Sequence, residues 1–274
     1  IKQLKYKIWL MKMKLELYQI DAFTDQVFGG NPACVVPLPH WISDDILFKI
    51  TKENAVAETA FFVKKEDEIQ LRWFTPEIEM DLCGHATLAA AHCLKTILNF
   101  SKETIVFQTK SGEISVTCNN EIYHLNFPSR MPIVSELPDE IKNALSIPPK
   151  KIYKSRDYVL IYDSETDIRN LEIDRQILDQ INLGTGGVVA TAKGNDYDFV
   201  SRYFTPQASI LEDPVTGSAH CSLVPYWAEE LKKEKLSAIQ LSERIGYLNC
   251  EFKKDRVQIS GKARTYLIGN IWTS

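Results

Sequence analysis

Residues 72–94 read RWFTPEIEMDLCGHATLAAAHCL, and residues 202–223 read RYFTPQASILEDPVTGSAHCSL. Both segments run Arg, aromatic, Phe, Thr, Pro, then reach a Gly, a small polar or imidazole residue and an Ala-containing apolar run. Arg72 and Arg202 are 130 residues apart, Gly84 and Gly217 are 133 apart after a three-residue insertion, and Gly112 and Gly246 are 134 apart. Three anchors at nearly constant offset indicate a duplicated unit, and whatever the first half folds into, the second must fold into as well. The period is too long for a solenoid, whose repeats run to roughly 20–50 residues.

The local patterns say what that unit is. LELYQIDAF (15–23) reads as a strand, and FGGNPACVVPL follows as a Gly-Asn-Pro turn into a short apolar strand. SDDILFKITKENA (43–55) reads as a helix with Ser43 as N-cap and two Asp in its first turn. ETAFFV and EIQLRWF (58–63, 68–74) read as paired strands. From His85 a buried helix is expected, with Ala86, Ala89, Ala90 and Ala91 allowing close approach. TIVFQT, SGEISVTC and EIYHLNF are strands, the last two joined at Asn119-Asn120. The second half repeats the order: GGVVATA and YDFVSRYF pair, a helix follows from Ser218, and CEFKKDRVQISG is a hairpin over Lys254-Asp255. PSRMPIVSELPD (128–139) is the natural linker. The expected fold is therefore α+β, two pseudo-symmetric halves, each a curled mixed sheet around one central helix.

With 274 residues the chain can bury a sizeable core. A net charge of −4 without a basic stripe argues against nucleic acid, and no apolar run approaches membrane-span length. The opening IKQLKYKIWLMKMK interrupts its apolar residues with lysines, unlike a signal peptide. Residues 1–12 read as a leader or upstream extension, with the natural start at Met11 or Met13; a short basic amphipathic helix is the rival reading. The six cysteines form no CxxC pair and read as reduced thiols of a cytoplasmic protein. His85 and His92 lack a third ligand, so no metal is expected.

Duplicated halves leave a cleft between them, and each half offers the same device there: Gly84-His85 and Gly217-Ser218 each open a helix. Free amides at a helix start, helped by the helix dipole, bind anions, so the pair suits a small carboxylate. Glu58 is a charge inside the apolar VAETAFF; burial would raise its pKa toward that of a general base, although an edge position would leave it in water. At the 130-residue offset its partner is Val188, so the scaffold repeats but the charge does not. Asp213, in LEDPVTGS, could orient an amine or hydroxyl, with Glu212 as the alternative acid. Cys83 precedes Gly84 and could serve as acid or base; its counterpart is Thr216. His92 and His220 read as helix packing or capping residues. The Gly-Thr-Gly-Gly at 184–187 precedes a strand, so it is no dinucleotide fingerprint, and Ser218 lacks the GxSxG setting of a nucleophile.

IDAFT (20–24), FGGNPACVV (28–36), AETAF (57–61), FTP…CGHATLAAAH and EDPVTGSA, in this order from about residue 14 to the C-terminus, resemble the PhzF-like family of phenazine biosynthesis, within the diaminopimelate epimerase fold superfamily. The resemblance implies an N-terminal domain of residues 13–128 plus 263–274, a C-terminal domain of 129–262, a site between them and a homodimer. It implies a cofactor-independent isomerase of a trans-2,3-dihydro-3-hydroxyanthranilate-like substrate. Glu58 matches the family's catalytic glutamate, Gly84-His85 and Gly217-Ser218 its substrate-holding turns, and Asp213 its motif aspartate. Diaminopimelate epimerases use two cysteines, whereas here Cys83 faces Thr216. Two alternatives stand beside this expectation: an amino-acid epimerase or racemase using Cys83, and a non-catalytic member that binds a small molecule or a protein.

Overall fold

The computed structural model describes residues 13–66 and 68–273. The expected leader lies outside the described residues. The strands are β1 (Lys14–Ala22), β2 (Asn31–Leu38), β3 (Glu58–Lys65), β4 (Glu68–Phe74), β5 (Glu79–Met80), β6 (Thr104–Thr109), β7 (Gly112–Asn119), β8 (Ile122–Pro128) and β9 (Ile133–Val134). The second half contributes β10 (Lys151–Lys154), β11 (Tyr158–Ile161), β12 (Val188–Lys193), β13 (Phe199–Phe204), β14 (Glu212–Asp213), β15 (Lys235–Gln240), β16 (Gly246–Lys253), β17 (Arg256–Gly261) and β18 (Ala263–Trp272).

Hydrogen bonding makes the duplication explicit. In the first half β2 pairs β3 in parallel, β3 pairs β4 antiparallel, β4 pairs β6 in parallel, and β6, β7 and β8 follow antiparallel. The second half repeats this with β11, β12, β13, β15, β16 and β17. β8 and β17 pair with each other and join the two sheets. The C-terminal β18 returns to pair antiparallel with β1.

Each sheet curls around one helix. Gly84–His92 is buried along its whole length, because four alanines let strands close on it from all sides. It continues into a π-helical turn, Cys93–Ile97. The second helix begins as a 3₁₀ turn, Gly217–Ala219, and becomes α-helical at His220–Leu231, so the expected start at Ser218 is a tighter turn. Pro225 sits inside that helix and cannot donate to the Cys221 carbonyl; the Arg130 amide supplies the bond instead, at 2.8 Å. The helices and the inner sheet faces form one core that crosses the junction. A second cluster covers the outer face of the first sheet under the helix Asp44–Asn54, and a third covers the outer face of the second.

Three local expectations are corrected. Ser43 occupies the N-cap position but its side chain caps nothing. The β7–β8 turn is Asn120-Glu121, both at positive φ (50° and 64°), rather than Asn119-Asn120; the register Asn119↔Ile122 places it one residue later. The segment 128–139 is more than a linker, since Ile133–Val134 pairs with β10.

The repeated pentapeptide has an architectural meaning. Arg72 grips Glu79 through two bonds of 2.8 and 3.0 Å, and Arg202 grips Glu212 through two of 2.8 Å. Each guanidinium lies over the Phe two residues on, at 4.9 and 5.0 Å. Thr75 and Thr205 then close turns with their hydroxyls and amides, Thr75 N to Ile78 O at 2.9 Å and Thr205 N to Leu211 O at 2.8 Å.

Candidate functional site

The two helix starts meet head to head. A Cβ built on Gly84 would lie 2.8 Å from Gly217 Cα, and one on Gly217 would lie 3.0 Å from Gly84 Cα. Only glycine at both positions permits this approach. Above the contact opens a cavity of about 330 Å³, walled by both halves, within the range of small-molecule sites. Its rim carries the two Thr-Pro turns, 75–78 and 205–210, so the duplicated stretches form its opposing lips.

Glu58, Cys83, Gly84, His85, Asp213, Gly217 and Ser218, the residues singled out from sequence, all line this cavity. Glu58 heads β3 with its side chain 12% exposed, and its Oε2 lies 3.1 Å from His85 Nε2 as an ion pair. Cys83 Sγ lies 3.7 Å from the other ring nitrogen, Nδ1. Burial raises the Cys83 thiol above its ordinary range, so it is protonated at neutral pH. Burial opposes charge on His85, but Cys83 and, after it, Glu58 outweigh it and hold the imidazole well above its usual value. Burial, with Glu58 next in importance, pushes Asp213 up to about 6. Glu212 is engaged by Arg202 and is not among the residues lining the cavity, whereas Asp213 is.

Sequence reasoning missed several residues of the site. Asn31, fully buried at the start of β2, donates to Asp213 Oδ1 at 2.7 Å and to the Val215 carbonyl at 2.9 Å, and lies 3.1 Å from His85 Nδ1. It ties the two halves together beneath the cavity. Thr216 holds the other Asp213 oxygen at 2.5 Å. Arg156, Gly184, Thr185 and Gly186 also line the wall. Only the Gly-Asn-Pro punctuation hinted at Asn31, and nothing local marks Arg156.

The register corrects the symmetry partner of Glu58. Phe74 pairs with Thr59 and Phe204 with Val188, so Thr59 matches Val188 and Glu58 matches Gly187. A Cβ at Gly187 would fall 2.6 Å from the Tyr203 ring, which occupies that space in the second half. Glycine-anchored equivalence likewise sets His85 against Ser218 and Cys83 against Thr216. Glu58, Cys83 and His85 thus stand on the first-half wall at positions where the second half has Gly187, Thr216 and Ser218, while the second half contributes Asp213 and Arg156.

Glu58, Cys83 and His85 place donor atoms within 4.8 Å of one another, a set of ligand types that zinc accepts. The imidazole divides its two nitrogens between the partners, Nε2 toward Glu58 and Nδ1 toward Cys83, an arrangement poorly matched to one ion bound through one nitrogen. His92 and His220 are structural: His92 bridges Tyr123 and Thr265, and the buried His220 bonds the Thr216 carbonyl and is lowered to about 4 by burial. Among the described residues no helix is long and apolar enough to cross a membrane.

Comparison with known proteins follows the geometry. Residues 20–269 match the family model PhzC-PhzF, phenazine biosynthesis-like protein. An uncharacterized isomerase of Pseudomonas aeruginosa is 44% identical over 259 residues, covering 94% of this chain and 99% of the relative. The crystal structure of a phenazine biosynthesis protein of the PhzF family from Enterococcus faecalis superposes with a TM-score of 0.89 at 42% identity, covering 95% of this chain and all of that one. A hydroxyproline epimerase from Agrobacterium vitis has a TM-score of 0.62 at 10% identity, covering 94% of this chain and 92% of its own, and shares the fold alone.

Proposed function

The chain belongs to the PhzC-PhzF family of phenazine biosynthesis-like proteins, and from that membership we propose that it is a cofactor-independent isomerase that moves a proton on a small amino- or hydroxy-carboxylate, with Glu58 as the single acid/base. The observation that carries this reading is the asymmetry of the site. Glu58, His85 and Cys83 stand where the second half has Gly187, Ser218 and Thr216, so a two-sided exchange of protons between like groups has no counterpart residues to use.

The roles follow from the chemistry of each group. The Glu58 carboxylate takes a proton from one carbon, the electron pair spreads into the ligand's π system, and the same proton returns to another carbon. His85, cationic beside Glu58, supports negative charge that develops on the ligand. Amides of Gly84, His85, Gly217 and Ser218 at the helix starts receive the ligand's carboxylate. Asp213, raised to about 6, is mostly a carboxylate at neutrality and accepts a hydrogen bond from the ligand's amine or hydroxyl. A trans-2,3-dihydro-3-hydroxyanthranilate-like molecule meets these requirements.

The test is deuterium incorporation at carbon, followed by NMR and mass spectrometry. Wild type and Glu58→Gln are incubated in heavy water with dihydro-hydroxyanthranilate, diaminopimelate and simple amino acids. General acid–base catalysis by one group is worth roughly 10²–10⁴-fold, so Glu58→Gln should lose exchange by that factor and keep its fold. A Gln variant with near-wild-type exchange removes Glu58 from the role.

A further inference from the structure

The polar residues of the cavity differ between the halves, but its lips are apolar on both sides. Ile78 ends the turn between β4 and β5, and Ile210 lies in the turn between β13 and β14; both line the cavity, at 37% and 39% exposure. A single isoleucine in water needs no explanation, but one from each half at the same opening does. Both backbones are fixed. The Ile78 carbonyl accepts the Thr75 amide at 2.9 Å and its hydroxyl at 3.2 Å, and the Ile210 carbonyl accepts the Thr205 hydroxyl at 2.6 Å. The second turn is also held from outside. Gln207 donates its amide to Asp179 Oδ1 at 2.6 Å and its Nε2 to the Asp179 carbonyl at 3.0 Å, and Arg175 Nη2 donates to the Ala208 carbonyl at 2.6 Å.

Duplication alone does not produce this pair of lips. The pairs Phe74↔Glu79 and Phe204↔Glu212 make Leu211 the register partner of Ile78, and the Thr75 and Thr205 amides bond those two carbonyls. Leu211 packs against the outer core of the second sheet and is not among the residues lining the cavity. The three-residue insertion of the second turn brings Ile210 to the mouth instead. The same registers, Trp73↔Met80 and Tyr203↔Asp213, set Met80 in the first half against Asp213 in the second. Met80 lines the cavity and packs on the central core. It adds a flexible apolar side chain, able to follow the shape of what it touches.

We propose that Ile78 and Ile210 clamp an apolar second ring of the ligand at the mouth of the cleft, so that the substrate class is amino- or hydroxy-carboxylates carrying such a ring on the side away from the acid. This rests on the reading of the cleft as a substrate site and adds the far end of the ligand to it. A single ring bearing the acid and the amine reaches the helix starts and Asp213 and leaves both isoleucines against water. The cavity, at about 330 Å³, falls in the range that encloses drug-sized ligands, which leaves room beyond one six-membered ring. An apolar group at the mouth removes its own surface and that of both isoleucines from water, a gain proportional to the area buried. A flat ring suits the place because it offers one face to each lip.

The experiment is calorimetric titration with 2-aminobenzoate and with 3-amino-2-naphthoate, which adds a fused ring on the side away from the acid and the amine. Wild type is compared with Ile78→Ser, Ile210→Ser, the double variant and Ile78→Leu. Wild type should bind the naphthoate at least about tenfold more tightly, as expected when the apolar surface of an added ring is buried. Each serine should reduce that preference, and the double variant should bring it within about threefold by weakening the naphthoate rather than the benzoate. Ile78→Leu should keep it, since the lip stays apolar. Both side chains are partly in water, so the serine variants should fold. No preference in wild type, an undiminished preference in the double variant, or binding of neither acid by wild type would each overturn the proposal. Glu58→Gln should keep the preference whether or not the protein exchanges deuterium, so failure of the proton-transfer reading is distinguishable from failure of this one.

Discussion

Replacing Asp213 with Asn should stabilise the protein by an amount that grows with pH. The Asp213 carboxyl is buried, held by Asn31 and Thr216, and raised from 3.8 to about 6, chiefly by burial and then by Glu58. A carboxyl whose folded value lies above its unfolded value binds its proton more tightly when folded. Its contribution is complete below pH 3.8 and is lost as pH rises through about 6. At about 1.4 kcal/mol per pH unit, that interval corresponds to about 3 kcal/mol lost near neutrality. Asparagine has the same shape and no charge. Its oxygen can accept from Asn31, and its amide can donate to Thr216 Oγ1, so the geometry survives. The assay is urea denaturation of wild type and Asp213→Asn from pH 3.5 to 8. The difference in unfolding free energy should be near zero at the acid end and climb to about 3 kcal/mol in favour of the variant by pH 7. A flat difference, or a variant that becomes relatively less stable as pH rises, would refute the reasoning, because it would mean that Asp213 is stabilised as an anion.

Three further outcomes can be checked. Gly84→Ala places a Cβ 2.8 Å from the backbone of Gly217, so overpacking should cost about 1–3 kcal/mol in chemical denaturation. Arg202→Met removes the grip on Glu212 and also strands the carbonyls of Ile168 and Leu171, bonded at 3.1 and 2.6 Å; it should cost about 3 kcal/mol, more than Arg72→Met, whose third partner Asp44 is exposed. Cys83→Ser should leave deuterium exchange within about tenfold of wild type if Glu58 is the base, and a severe loss would shift the reading to an epimerase that uses the thiol.

The legible part of the fold was periodic or repeated. The short apolar run of ETAFFV, the alanine-rich run after Gly84 and the matched Arg-aromatic-Phe-Thr-Pro segments specified strands, a buried helix and a duplication, because short-range side-chain patterning is a local property of the backbone. The turn at Asn120-Glu121 slipped by one residue, since two adjacent asparagines suit a turn equally well and pairing between β7 and β8 chooses between registers. The Glu58 partner slipped in the same way: a constant offset cannot reveal that the sheets align at 129 residues around Gly187, whereas the Phe74 and Phe204 pairings can.

The site divides along the same line. The sequence by itself determined which residues open helices, which strand carries an acid, and that two similar halves would face each other. Only the tertiary structure decided that Asn31 reaches Asp213 across 182 residues, that Arg156 keeps a free buried donor beside Ser218, and that Tyr203 fills the place where a second Glu58 would have stood. Those are contacts between segments distant in the chain, fixed by how two curled sheets close on each other, and no local pattern of residues records the distance across a cleft.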